Sequence, residues 1–321
     1  MYLVTGATGL LGNQIVRQLL AAGEQVRVLM RPSSDPRPLQ GLTVETAHGD
    51  VHDLVALRQA AGGVTHIIHS AGHVHLGWSQ EETHRLVNVE GTRCAIAAAV
   101  ENGARLVHIS SVNALGLGRL SQPADENSAL PGVIPCPYVL TKQEAERLVV
   151  AAGAALSAVI VNPGFLLGPG DWKPSSGKML LEVAKFAPLA PTGAFSVCDV
   201  RDVAAATLVA AKSPQATGRY ILAGHNISYL ETWRQFARAA GKRGPRFRAG
   251  PINRWIGALA GDAWGRITGR EPNLNSAGMR MSCQEHCFSS ARAQAELGYQ
   301  IRPLEETIAD AWQWFVEHDY V

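Results

Sequence analysis

The sequence predicts an α/β fold: a parallel, doubly wound sheet with helices on both faces, joined to a smaller, partly interleaved second lobe. Three observations carry this expectation. Short β-branched runs alternate with longer helical patterns, as a parallel sheet with crossover helices demands. Ile67-Ile68 and Val159-Ile160-Val161 are unbroken apolar runs, the pattern of strands covered on both faces. A glycine-rich turn from Gly6 to Gly12 separates the first strand from the first helix.

The expected strands are 2–4, 25–30, 43–46, 65–70, 105–110, 157–162 and 220–223. The expected helices are 11–22, 53–60, 80–102, 138–152, 201–212, 229–240 and 304–318. Beyond residue 165 the rhythm loosens. Pro163, Gly164, Gly168, Pro169, Gly170 and Pro174 crowd a stretch that reads as irregular, with regular patterns resuming only at 203–212. The larger domain is therefore assigned residues 1–165 and 196–226, and the smaller lobe 166–195 and 227–321. Residues 251–269 have an amphipathic helical pattern through Trp255, Ile256, Leu259, Ala260, Trp264 and Ile267. Core packing is the first expectation there; a pocket roof, a dimer face and a peripheral membrane contact are the others.

The chain has 321 residues, 46% hydrophobic and 17% charged, enough to bury a sizeable core. A net charge of +2 gives no general attraction to nucleic acid. Five scattered cysteines suggest no disulfide framework and fit a reducing compartment. Cys283, His286 and Cys287 do not complete a tetrahedral metal set, and His66, His69, His73 and His75 read as strand and loop residues, so no metal is expected. No stretch reaches the ~18 apolar residues of a membrane span. The first residues already read as a strand, so a soluble, cytoplasmic chain is expected.

Thr5-Gly6-Ala7-Thr8-Gly9-Leu10-Leu11-Gly12 lies between a strand and a helix. Gly6 allows the tight turn, Gly9 lets backbone amides approach a pyrophosphate, and Gly12 lets the helix pack close to the sheet. The helix N-terminus then offers unpaired N–H groups to phosphates. After the second strand comes Arg31-Pro32-Ser33-Ser34, with no carboxylate for a ribose 2′-OH. Arg31 with Ser34 is suited to a 2′-phosphate, so NADP is preferred over NAD. Tyr138 and Lys142 stand four residues apart, on one face of an expected helix. An ammonium beside a phenol favours phenolate and makes the pair a proton donor and acceptor near neutral pH. The strand Leu106–Ile109 ends in Ser110 and Ser111, at the sheet edge where ligands bind, and either serine is placed to hold a substrate oxygen.

These motifs resemble the extended short-chain dehydrogenase/reductase superfamily, whose Rossmann-type domain carries T-G-x-x-G-x-x-G where this chain has Thr5 to Gly12. The resemblance covers nearly the whole chain. It is nearest to the dihydroflavonol-4-reductase-like members of the NAD-dependent epimerase/dehydratase group. It implies Ser111, Tyr138 and Lys142 as the catalytic set, with Ser111 favoured over Ser110 because Ser111 to Gly116 resembles S-x-x-x-[YL]-G. It adds Asn88, from Asn88-Val89-Glu90-Gly91-Thr92, as a support of the site. For the dinucleotide it implies Gly6, Thr8, Gly9, Leu10, Leu11, Gly12, Asp50 near the adenine, Val51, Ser70, Ala71, Gly72, Ser110, Tyr138, Lys142, Asn162 and Pro163. The residues after Ser111 are Val112-Asn113, without the acidic pair of a sugar-nucleotide dehydratase. The expected activity is NADPH-dependent reduction of a ketone or aldehyde, on a small carbonyl or alcohol substrate. Nucleotide-sugar epimerisation with retained NAD is the alternative, and a non-catalytic dinucleotide sensor the second. A homodimer is the family expectation.

Overall fold

The computed structural model describes residues 1–129, 132–268, 271–272 and 275–321, with the backbone alone at 251–257, 260 and 266. Its centre is a seven-stranded parallel sheet. The strands are β1 (Tyr2–Thr5), β2 (Val26–Met30), β3 (Glu45–His48), β4 (His66–His69), β5 (Arg105–Ile109), β6 (Ala158–Pro163) and Gly218–Leu222. Across the sheet the order is Gly218–Leu222, β6, β5, β4, β1, β2, β3. The chain moves outward from β1 to β3, then returns to place β4 on the other side of β1. That reversal opens a crevice at the C-terminal ends of β1 and β4, where doubly wound sheets take their ligands. Thr5 pairs with His69 at this edge.

The apolar runs behave as their pattern requires. Ile67, Ile68, Val159 and Val161 are fully buried, each contributing roughly 2 kcal/mol of hydrophobic stabilisation. One core lies between the sheet and the helices α1 (Leu10–Ala21) and Val200–Lys212. The other lies beneath the helices Leu54–Ala61 and Gly91–Asn102. Asp53 caps the first of these, its carboxylate accepting from the Val55 and Ala56 amides. The expected helix 80–102 forms as one rod with a π-helical turn at Arg85–Glu90. That turn carries Asn88, and such turns often mark functional positions.

The second lobe is more regular than its proline and glycine content suggests. Phe165–Leu167 is a strand inside the stretch expected to be irregular, and Gly177–Lys185 is a helix before the expected resumption at 203. Asp171 makes the helix possible by accepting from the Ser175 and Gly177 amides. Strand Ala194–Asp199, buried throughout, pairs with Phe165–Leu167, His225–Ser228 and Glu285–His286. Helices Gly177–Lys185, Tyr229–Ala239 and Leu304–Glu317 pack on this small sheet around Phe236 and Phe315.

The segment 251–269 is helical over Pro251–Thr268, but the core-packing expectation fails for the side chains that are described. Leu259, Trp264 and Ile267 are exposed. The buried side of the helix is instead the small-residue side, with Gly261 buried and Gly265 close to Glu271. Trp255, Ile256, Ala260 and Gly269 lie outside the residues whose side chains are described.

Candidate active site

The opening turn is built by backbone contact. Gly6 has φ +70°, and a Cβ there would lie 2.6 Å from the Ala71 amide nitrogen. A Cβ on Gly12 would lie 2.2 Å from the Gly6 carbonyl oxygen, so the helix needs glycine to approach the turn. A Cβ on Gly9 would meet nothing nearer than that carbonyl, at 3.3 Å. No side chain caps α1 at Gly9. Its first amides thus have no capping side chain at the crevice, the arrangement that suits a pyrophosphate. The residues present fit a dinucleotide: a glycine cradle, an uncapped helix start, and the Ser70–Gly72 segment packed against Gly6.

The helix Pro137–Ala151 supplies the central pair. Pro137 occupies its first turn, where a missing N–H costs nothing, and sets Tyr138 at the mouth of the helix. Tyr138 and Lys142 are both buried. The Ser111 hydroxyl is a close neighbour of the Tyr138 phenol and draws its pKa down. Ser111 also accepts from the Asn113 amide at 3.2 Å, which fixes its rotamer. Lys142 Nζ donates to the Ile109 carbonyl at 3.0 Å. A Cβ on Gly72 would sit 3.3 Å from Nζ and 3.5 Å from Asn88 Oδ1, so the loop after β4 closes directly over the pair. The structure therefore brings Ser111, Tyr138, Lys142, Asn88 and Gly72 together from four distant parts of the chain.

Asn88 is a brace. Its Oδ1 accepts from the His73 amide at 2.8 Å, and its Nδ2 donates to the His73 carbonyl and to Thr141 Oγ1. It thereby ties the loop after β4 to the helix that carries Tyr138.

The electrostatics differ from the expectation in one respect. Burial pushes the Tyr138 phenol up, and the neighbouring Ser111 hydroxyl draws it part of the way back. The Lys142 ammonium is turned to the Ile109 carbonyl. Burial pushes Lys142 itself down to about 8, partly countered by Glu146. His69 is pushed down to about 3 by burial and by Lys142, so it is a neutral neighbour. Its Nδ1 lies 2.9 Å from Thr5 Oγ1.

Glu146 is the residue the sequence reading missed. It lies one helical turn beyond Lys142 and is buried. Its carboxylate accepts from Asn162 Nδ2 and, at 2.7 Å, from Arg219 Nε. Asn162 Nδ2 also donates to the Ser111 carbonyl at 2.9 Å. The Asn162 Nδ2 is thus engaged behind Ser111, while its buried Oδ1 has no partner among the described residues. The available signal was the i+4 spacing of Glu146 from Lys142.

The other expected cofactor residues lie at or just beyond the C-terminal ends of β1, β2, β3, β5 and β6. Thr8 is half-buried and Leu10 and Leu11 are buried at the start of α1. Arg31 is exposed at the end of β2, where the Ser34 amide donates to its carbonyl in a turn. Asp50 lies 3.0 Å from His52 Nδ1, with Val51 buried beside it. Ser110 is buried, and its hydroxyl has no partner among the described residues. Pro163 ends β6. Tyr138 also packs in an apolar wall with Cys136, Ala277 and Met281, flanked by Leu76 and Ile134.

The sequence profile of the NAD dependent epimerase/dehydratase family matches residues 2–224. The chain belongs to this family. As a member of the NAD dependent epimerase/dehydratase family it is an NAD(P)-dependent enzyme of the extended short-chain dehydrogenase/reductase type, with the fold and glycine turn that this type requires. It is 34% identical over 332 residues to a putative dihydroflavonol 4-reductase of Synechocystis sp. (100% of this chain, 96% of that protein). It is 33% identical over 326 residues to sterol demethylase protein B of Methylococcus capsulatus (99% of each chain). Among solved structures, a nucleoside-diphosphate-sugar epimerase from Pseudomonas aeruginosa superposes with TM-score 0.80 at 25% identity, over 99% of this chain and 98% of that one.

Proposed function

We propose that this protein reduces a ketone or aldehyde carbon on an apolar substrate, using NADPH in preference to NADH. The observation that carries the reading is the convergence of Ser111 and Tyr138 beside the buried Lys142, with Cys136, Ala277 and Met281 packed against Tyr138. Bound NAD(P)H supplies the hydride. Tyr138 gives a proton to the substrate oxygen as the carbonyl carbon is reduced, and takes it back in the reverse direction. Ser111 donates to that oxygen and orients it. The Lys142 ammonium holds the charge balance around the phenol and the nearby ribose. Asn88 keeps the loop after β4 closed over them. The chain contributes orientation and electrostatics. Gly6, Thr8, Gly9, Leu10, Leu11 and Gly12 receive the pyrophosphate. Asp50 and Val51 border the adenine, Ser70, Ala71, Gly72 and Ser110 run along the cofactor, and Pro163 borders the nicotinamide end. Arg31 and Ser34 take the 2′-phosphate.

The relatives described as a putative dihydroflavonol 4-reductase and as sterol demethylase protein B support an apolar substrate. A second reading is epimerisation of a nucleotide sugar with NAD retained. The family's description and the Pseudomonas aeruginosa epimerase favour it, more strongly than any single relative favours reduction. Both readings use the same acid–base set. Purified enzyme separates them: net NADPH consumption with an apolar ketone supports reduction, whereas tightly held NAD and interconversion of sugar nucleotides support epimerisation. In either case Tyr138→Phe is expected to lower kcat by roughly 100-fold or more, with cofactor affinity little changed. Undiminished turnover in that variant overturns the assignment.

A further inference from the structure

We propose that the second lobe docks on an anionic lipid bilayer through the stretch 241–268. Two independent features of this stretch point there. The first is charge. From Gly241 to Gly261 the chain carries five cations (Lys242, Arg243, Arg246, Arg248 and Arg254) and no acid, a local charge of +5. The whole chain is +2, so the remainder is −3 by difference (2 − 5). Lys242, Arg243, Arg246 and Arg248 are exposed, and no ion pair engages them among the described residues.

The second feature is apolar exposure beside those cations. Phe247 is 68% exposed between two of them, Trp264 is 60% exposed and Ile267 is 82% exposed. At about 100° per residue, Leu259, Ala263, Trp264 and Ile267 span an arc of about 140° on the helix Pro251–Thr268. The opposite side faces the protein: Gly265 lies against Glu271, and the Asp262 carboxylate accepts from the Ser276 amide. Phe186, 81% exposed, lies three residues before Leu189, the strand partner of Phe247. Aromatic and aliphatic side chains on one helix face with cations alongside are the signature of a helix lying in the headgroup region. A second copy of the chain fits this surface poorly, since two-fold pairing sets like charges against each other.

The patch also leads to the reactive site. The Glu271 carboxylate, just past the helix, accepts from the Trp78 and Ser79 amides and lies 3.0 Å from His75 Nε2. The loop it anchors is the one that Asn88 holds over Tyr138 and Lys142. A bilayer under the helix therefore borders the loop that packs over Tyr138 and Lys142. The docking claim stands without the catalytic reading, because it concerns partitioning and not turnover.

The test is co-sedimentation of the full-length protein with vesicles of phosphatidylcholine alone and with about a third phosphatidylglycerol. Anionic vesicles are expected to bind at least tenfold more protein, with binding falling about fivefold for each cation removed, as Lys242→Ala and Arg246→Ala measure. Trp264→Ser with Ile267→Ser should weaken binding further while leaving NADPH oxidation in detergent-free buffer unchanged. Equal binding to both vesicle types overturns the proposal. So does absence of binding, whether the patch proves instead to mediate a dimer that Trp264→Ser dissolves or to bind duplex nucleic acid.

Discussion

Glu146→Gln tests whether a buried carboxylate sets the charge state of Lys142. The two residues stand one helical turn apart, and two unit charges ~6 Å apart interact by about 3 kcal/mol at an effective dielectric of ~20. The Arg219 guanidinium, 2.7 Å from the same carboxylate, offsets part of this. About 2 kcal/mol remains, a factor of about 30 in the protonation of Lys142. Burial already pushes Lys142 down to about 8, and Glu146 is the group that holds it up. Removing the carboxylate lowers it further, so the ammonium is lost as pH rises through neutrality instead of near 8. With the ammonium required for turnover, kcat in the variant should fall about fourfold at pH 7 and more than tenfold at pH 8, approaching wild type near pH 5.5. Steady-state NADPH oxidation across this range reads the effect, circular dichroism confirms folding, and Glu146→Asp should restore most of the alkaline limb. An alkaline limb in the Gln variant that overlays the wild type refutes the role.

Three further outcomes are expected. Gly12→Ala, whose Cβ would sit 2.2 Å from a backbone oxygen, should cost at least about 2 kcal/mol in urea unfolding and weaken dinucleotide binding in titration calorimetry. Arg31→Ala should raise KM for NADPH roughly tenfold and leave KM for NADH within about twofold; an equal change in both would remove Arg31 from 2′-phosphate recognition. Asp171 is raised to about 6 by burial, so the folded state binds its proton more readily than the unfolded chain does. That contribution to stability is complete below about pH 4 and is lost as pH rises through about 6, up to about 3 kcal/mol. Asp171→Asn should flatten this part of the stability–pH curve in urea melts at pH 4.5 and 7.

The sheet was legible because its central strands are covered on both faces, and Ile67-Ile68 and Val159–Val161 announce this without ambiguity. The edge strand was less so. Glu45–His48 is largely exposed and lies two residues beyond its expected start, since a strand with no buried face has no periodicity to fix its limits. The small sheet of the second lobe escaped notice because its outer strands have two to four residues and Ala194–Asp199 is buried throughout, leaving no alternation. The candidate site was legible where spacing within one element encodes it, as in Tyr138 and Lys142. The Glu146, Asn162 and Arg219 network was not, because it joins three elements whose proximity only the sheet order creates. The helix Pro251–Thr268 was legible as a helix, but amphipathic spacing alone does not tell which of two media, protein interior or surroundings, receives the apolar side.

Strand Ala194–Asp199 runs into helix Val200–Lys212 with no intervening residue, and that helix packs on α1 of the nucleotide-binding half. Asp199 is at once the strand's last residue and the helix cap, and Arg302 clamps Asp202 one turn later. The two halves are thus welded rather than hinged: swinging one away would tilt a helix out of the other's core. Neither half is severable as an autonomous fragment, and melting should proceed as one cooperative event.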